Sequence, residues 1–372
     1  MKAAFYYGIG DIRIEDVPVP EIQENEMLVK VKACSVCGTD NRIYRYGHFK
    51  VPEGVKRVLG HETSGEIVKL GSQITGYRVG ERVALPPNVG CGHCHMCIRG
   101  YNQLCPNYQA FGISMDGGFA EYVKVPSFAV NNVIKIPDHV SYEEAALAEP
   151  LSCVLHAYEA HRTVPGDTVL IIGPGPIGAL HVMMNKMAGG RIIVAGRSDA
   201  RLEQIKQYGA DIVINNREKD LKAEIDKITN GLGVDVVITS NSDPEMQKVA
   251  LEVAGYHGRV SLFGGLPKGK EFVTLNTNLI HYKELLVTAT TGSSLLDVHK
   301  AMNMISTGKN RCEVSHYRQI PDRRNGCRSG LCRSRLGNES LDYIGSLIRE
   351  QEDNDEQNDE CCGSACAGRS AL

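Results

Sequence analysis

The sequence holds no tryptophan and only seven phenylalanines in 372 residues, which argues against a ring-lined pocket for an apolar ligand. It holds no excess of one charge. Its 41 Lys+Arg stand against 44 Asp+Glu, a balance that speaks against nucleic acid as the main partner. No apolar run approaches the ~18–20 residues that cross a bilayer, so no membrane span is expected. The opening MKAAFYYGIGDIRIEDV lacks the apolar core of a secretion signal and soon alternates as a strand does. A cytoplasmic soluble protein is the expectation. In that reducing compartment thirteen cysteines need an explanation other than disulfides, and metal is the first candidate. Hydrophobic content of 42% and charged content of 23% exclude wholesale disorder. The length suits about two domains of ~100–200 residues.

The chain changes character along its length. Up to about residue 150 it carries short alternating stretches, such as Met27–Ala33 and Glu66–Leu70, bounded by Gly and Pro turns. That pattern predicts an antiparallel β-domain. Ser141, with Glu144 three residues on, opens a helical stretch through Ala145–Leu147. Pro150 is expected to interrupt it before the pattern resumes over Leu151–His161. From Asp167 to about Thr288, short apolar runs alternate with helix-length segments: Val169–Ile172, Ile192–Ala195, Ile212–Ile214, Val234–Ile238, Arg259–Phe263 and Leu285–Thr288. Continuous apolar strands separated by helices predict a parallel sheet covered on both faces, and so an α/β chain.

Cys91, Cys94, Cys97 and Cys105 are spaced C-x2-C-x2-C-x7-C. Four thiolates at such short spacing suit a closed, structural tetrahedral zinc site. The alternatives are four ordinary cysteines or an iron–sulfur cluster; the usual bacterial cluster run ends in a shorter spacing. A second set is more scattered. Cys37 stands in Cys37-Gly38-Thr39-Asp40, His61-Glu62 in Gly60-His61-Glu62-Thr63, and Glu149 in Ala148-Glu149-Pro150. Thiolate, imidazole and carboxylate can hold an open zinc with one exchangeable position, as a Lewis-acid site requires. Residues so far apart can equally be buried or surface side chains.

Val169–Ile172 leads into Gly173-Pro174-Gly175-Pro176-Ile177-Gly178 and then the helical run Ala179–Met187. A G-x-G-x-x-G between strand and helix lets pyrophosphate approach the helix N-terminus. An acidic residue is expected about twenty positions on, to hold the ribose hydroxyls. The second strand ends instead in Gly196-Arg197-Ser198. A small residue followed by Arg197, which could clamp a 2′-phosphate, leans toward NADP. The other reading is a solvated Arg197, with Asp199 serving NAD.

Together these residues resemble the zinc-dependent medium-chain alcohol dehydrogenase family. Its pattern G-H-E-x2-G-x5-G-x2-I is met by Gly60, His61, Glu62, Gly65, Gly71 and Ile74. The four-Cys knuckle, GPGPIG and the opening MKAAFYYGIGDIRIEDVPVP agree. The resemblance covers roughly residues 1–309 and is greatest to the polyol (sorbitol-like) and threonine 3-dehydrogenase branch. It implies a GroES-like, mainly antiparallel catalytic domain over 1–155 and a Rossmann-like, doubly wound nucleotide domain over 156–289. A return toward the catalytic domain follows over 290–309. Cys37 and His61 match the family's catalytic zinc ligands, and Glu62 the carboxylate beside them. Glu149 matches an acidic residue that ligates zinc directly or through water, and Thr39 the hydroxyl of a proton relay. Gly173, Gly175 and Gly178 match the nucleotide glycines, with Pro176 and Ile177 between them.

The resemblance implies two zinc ions per chain, NADP or NAD, and hydride transfer from a secondary alcohol. Scarce phenylalanine favours a polar polyol or sugar alcohol, phosphorylated or not. Threonine 3-dehydrogenase is the alternative within the class, and a non-catalytic nucleotide-binding protein the alternative outside it. Arg42, Tyr44 and His48 follow the Cys37 loop and either line the substrate side or lie on the surface. A homo-oligomer, dimer or tetramer, is expected.

The family's ending is missing. Residues 310–372 are rich in Arg and Cys, then acidic, and read as an aberrant, disordered tail. Read one nucleotide out of phase, with permitted synonymous codons, Asn310 to Tyr343 can encode a strand, a helix opening P-I-D-E and a closing M-K-A-L-I strand. A frameshift near codon 310 is therefore expected. Six tail cysteines (312, 327, 332, 361, 362 and 366) lack zinc-finger spacing, against a metal-binding extension. Loss of the closing strand predicts an unpaired sheet edge and a poorly folded or weakly active chain.

Overall fold

The computed structural model describes residues 1–308 and, beyond them, the short strand Arg333–Arg335. The strand Met27–Ser35 is the spine of the first half. Met27, Val29 and Val31 are buried while Lys30 between them is exposed, the two-residue period of a half-buried strand. It pairs antiparallel with Glu62–Leu70 along its length and with Tyr122–Val125 over Met27–Lys30. Arg82–Leu85 and then Ile134–Lys135 extend the sheet beyond Glu62–Leu70. A three-stranded sheet of Asp11–Asp16, Lys2–Gly8 and Arg57–Val58 lies beside it. Val29, Ile67, Val83, Val125, Leu59 and Phe111 share one buried core in this half.

The second half is a six-stranded, all-parallel sheet. Its order is Ile212–Asn215, Arg191–Gly196, Thr168–Ile172, Val234–Thr239, Ala254–Leu262 and Leu286–Ala289. The sequence order reverses between Thr168–Ile172 and Val234–Thr239. In such sheets ligands bind at that reversal, outside the carboxyl ends of the strands. Every apolar run singled out in the sequence is one of these strands. Leu170, Ile171, Ile193 and Val194 are fully buried, as a sheet covered on both faces demands.

The Ser141–Glu144 capping box forms, with Glu144 N donating to Ser141 Oγ at 3.1 Å and Ser141 N to Glu144 Oε2 at 2.7 Å. The expected break falls at Leu147, between the helices Tyr142–Ala146 and Ala148–His161, and not at Pro150. One helix runs Ala148–His161, with Pro150 in its first turn. There the missing N–H of proline leaves no helical bond unmade, so the residue is tolerated. The helix Leu295–Ser306 packs against it through Val298, Ala301 and Met302, facing Leu151, Val154 and Leu155. Asn102 Oδ1 accepts from Leu295 N at 2.8 Å and Asn88 Nδ2 donates to Ser293 O at 3.1 Å, tying this segment to the cysteine knuckle.

The spine strand has one more described partner. Arg333–Arg335 pairs antiparallel with Ala33–Ser35, where Tyr122–Val125 no longer covers the spine strand. The frameshift and the rest of the tail lie outside the described residues.

Candidate active site

Cys37 follows the spine strand and sits immediately before the helix Gly38–Tyr46. His61 and Glu62 stand at the start of Glu62–Leu70, the neighbouring strand. Antiparallel pairing of Ser35 with Glu62 places residues 27 apart in sequence side by side. Ligand atoms of Cys37, His61 and Glu62 all lie within 4.8 Å of one another. His61 and Glu62 are buried.

Glu149 stands outside that set of three. Its Oε1 accepts a hydrogen bond from Cys153 Sγ at 3.5 Å, one turn along the helix Ala148–His161. It is close enough for its charge to act on Glu62. Burial, followed by that charge, pushes Glu62 up to about 7. Burial likewise raises Glu149 and Cys37. For His61 burial lowers the pKa, but Asp40 and Cys37 outweigh it and the net direction is strongly upward. A thiol and two carboxyls crowded in low dielectric are driven toward their neutral forms, and a divalent cation among them would hold them ionised. The donor set of sulfur, nitrogen and oxygen fits zinc.

Three further residues here escaped the sequence reading. Asp40 is buried; its Oδ2 accepts from Cys37 N at 2.9 Å and its Oδ1 from Gly60 N at 3.3 Å. The same Oδ1 lies 3.3 Å from His61 Nδ1, which leaves Nε2 as the nitrogen available to an ion. Ser35 Oγ donates to Glu62 Oε2. Tyr108 borders the site closely enough for the charges of His61 and Glu149 to act on it. Asp40 was findable: an acid three residues after a helix-opening residue commonly reaches back to that residue's amide. Tyr108 carried no signal, because its place beside the site depends on tertiary packing. Thr39, half-buried two residues from Cys37, makes no side-chain hydrogen bond among the described residues.

The sulfurs of Cys91, Cys94, Cys97 and Cys105 also lie within 4.8 Å of one another. Cys97 N points at Cys94 Sγ (3.5 Å) and Cys91 N at Cys105 Sγ (3.4 Å), as amides do toward thiolates. Gly90 is required here, since a Cβ would stand 2.6 Å from Cys97 Sγ.

At the sheet reversal, Gly173 has φ +121° and its N donates to Ala195 O at 2.9 Å. Gly175 caps the helix Pro176–Met187, Pro176 is its first residue, and Ile177 follows. A Cβ on Gly178 would stand 2.0 Å from Gly173 O. Arg197, beyond the strand Arg191–Gly196, pairs with Asp243. Asp199 accepts from Asn215 Nδ2 at 2.8 Å.

Residues 23–138 match the alcohol dehydrogenase GroES-like domain and residues 176–307 the zinc-binding dehydrogenase domain. The chain is 40% identical over 290 residues to the sorbitol dehydrogenase of Bacillus subtilis (strain 168), covering 77% of this chain and 80% of that one. It belongs to the zinc-dependent alcohol dehydrogenase family. This dehydrogenase is also 37% identical over 316 residues to the L-threonine 3-dehydrogenase of Pyrococcus abyssi, covering 83% and 87%. Among solved structures, a zinc-binding dehydrogenase of Sinorhizobium meliloti 1021 bound to NADP superposes on it with TM-score 0.76 at 32% identity. That match spans 84% of this chain and 90% of the other. The chain is therefore a zinc-dependent alcohol oxidoreductase with the GroES-like and Rossmann-like sheets of its family. Among the described residues, no helix is long and apolar enough to cross a membrane.

Proposed function

We propose that this dehydrogenase oxidises a secondary alcohol of a polyol or sugar alcohol, with NADP or NAD as hydride acceptor. The observation that carries the proposal is the meeting of Cys37, His61 and Glu62 within 4.8 Å, with the half-buried Glu149 near enough for its charge to act on Glu62. Cys37, His61 and a carboxylate would hold the catalytic zinc, which polarises a substrate oxygen and lowers the pKa of its hydroxyl. Asp40 orients His61, and Ser35 orients Glu62. Thr39 is the group we assign to lead the hydroxyl proton out, its own hydroxyl being uncommitted. Cys91, Cys94, Cys97 and Cys105 would hold a second, structural zinc.

The loop Gly173–Gly178 would seat the pyrophosphate at the helix N-terminus, bringing the nicotinamide to the cleft. We favour NADP, because no acid ends the strand Arg191–Gly196 and the cationic Arg197 follows it. Arg197 would exchange Asp243 for the 2′-phosphate. The domain boundaries we assign are 1–155, 156–289 and a return over 290–309. A homo-oligomer is proposed from the edge strand Leu286–Ala289, which exposes Leu286 and Val287. The cytoplasm is the proposed location, since all seven described cysteines are free thiols.

The similarity to threonine dehydrogenases favours L-threonine as the second substrate reading. A panel of polyols and L-threonine, each with both nicotinamide cofactors, tests the assignment. Cofactor reduction by a polyol that is abolished in Cys37→Ala supports it. No turnover of any alcohol by zinc-loaded protein would leave only a nucleotide-binding scaffold.

A further inference from the structure

The helix that Cys37 opens carries Arg42, and the loop beyond it carries His48 and Lys50. All three are half-buried, and none forms an ion pair with a carboxylate among the described residues. Half-buried cations are normally paired, so Arg42 and Lys50 without a carboxylate leave a local surplus of positive charge.

Their placement ties that charge to the site. Lys50 Nζ donates to Tyr108 O at 3.2 Å and stands 3.3 Å over the centre of the Tyr108 ring. Tyr108 is the residue that borders His61 and Glu149. Those two contacts leave ammonium donors of Lys50 free. His48 Nδ1 accepts from Lys50 N at 3.1 Å, which fixes the tautomer so that Nε2 carries the proton and can donate. Arg42 reaches the other wall of the cleft: a Cβ on Gly265, in the loop after the strand Ala254–Leu262, would lie 3.6 Å from its Nη1. Burial, and after it Arg42 and Lys50, lower the proton affinity of His48, so its imidazole is neutral and the two cations act on one region.

We infer that Arg42, His48 and Lys50 form an anion subsite beside the metal centre, and that the alcohol oxidised there carries a phosphate group. The inference rests on the dehydrogenase reading above and narrows its substrate class. A phosphate presents several oxygens to three donors, and each charge-assisted bond is among the stronger polar contacts. The nucleotide's own phosphates have a separate seat at Gly173–Gly178, before the helix Pro176–Met187.

The test uses the full zinc-loaded chain with D-sorbitol and D-sorbitol 6-phosphate. The wild type is expected to prefer the phosphorylated polyol in kcat/KM. Arg42→Met and Lys50→Met should each lower the ratio of kcat/KM for the two polyols by about 10-fold or more, mainly through KM. Lys50→Arg should restore most of it. Calorimetric binding of D-sorbitol 6-phosphate without cofactor should weaken in parallel, and Arg42→Met serves if Lys50→Met melts at lower temperature. Equal use of the two polyols by the wild type would overturn the inference while leaving the dehydrogenase intact. So would variants that raise the cofactor KM equally with either polyol, because the cations would then serve the nucleotide. Binding of the phosphate ester that is lost in the variants, with no turnover of either polyol, would uphold the subsite and sink the dehydrogenase reading.

Discussion

Gly175 and Gly178 stand three residues apart in one loop, yet the surrounding atoms assign them different tasks. A methyl group on Gly178 would lie 2.0 Å from Gly173 O, whereas real Cβ contacts do not fall below 3.0 Å. The strand-to-helix turn would have to open by about 1 Å, an overpacking that costs roughly 1–3 kcal/mol. For a chain of this size that lowers the melting temperature by roughly 2–10 °C. A Cβ on Gly175 would meet no heavy atom within 4 Å, and its φ of −85° is one that alanine adopts without strain. Its methyl costs a few tenths of a kcal/mol at the helix cap, offset by reduced freedom of the unfolded chain. It would, however, occupy the space through which pyrophosphate reaches the amides of Pro176–Met187. Gly175→Ala should therefore melt within about 1–2 °C of the wild type and bind NADPH at least about 10-fold more weakly, whereas Gly178→Ala should lose stability first. Differential scanning calorimetry and NADPH fluorescence titration read the two quantities separately. Undiminished NADPH affinity in Gly175→Ala would refute the placement of the nucleotide.

Asp40→Asn removes the negative charge facing His61 and is expected to weaken the catalytic zinc by about 10- to 100-fold in chelator competition; unchanged affinity would deny Asp40 its orienting role. Arg197→Ala should shift the NADP-to-NAD ratio of kcat/KM toward NAD by about 10-fold or more, and Asp243→Asn should shift it toward NADP; no change in either would mean that Arg197 stays on Asp243. His161 is fully buried, and burial lowers its pKa from about 6.5 to about 4. A depressed pKa means that the unfolded chain takes up the proton first. The stability is complete above pH 6.5 and falls as the pH drops toward 4, by about 3 kcal/mol for this group. Urea unfolding between pH 7 and 4 should show a shallower loss in His161→Gln; an unaltered slope would assign the acid sensitivity elsewhere.

The parallel sheet was legible because its strands are buried on both faces. Runs such as Val169–Ile172 and Val234–Ile238 are continuous and apolar, and between strand and helix Gly173 has a conformational and Gly178 a steric reason to be glycine. The cysteine knuckle was legible because its four ligands are local. Pro150 misled, since local propensity disfavours proline in a helix while the first turn does not need its amide. The meeting of Cys37 and His61 was to be expected only through family resemblance, because it arises by antiparallel register, which no local spacing encodes. The same holds for the finer geometry: resemblance gave both Glu62 and Glu149, and only the fold shows that Glu62 shares the cluster with Cys37 and His61. Asp40, Tyr108 and the Lys50 contact depend on loops packed from distant segments, and their roles emerge only with tertiary structure.

The most direct test of the account is zinc per chain by inductively coupled plasma mass spectrometry. The comparison needs purified wild type, a Cys37→Ser/His61→Ala variant and a Cys91→Ser/Cys94→Ser variant. Two ions in the wild type and one in each variant are predicted, with oxidoreductase activity lost and the melting temperature largely kept when Cys37 and His61 are replaced. A Cys37→Ser/His61→Ala protein that retains both zinc ions would contradict the catalytic metal centre on which the proposed chemistry depends.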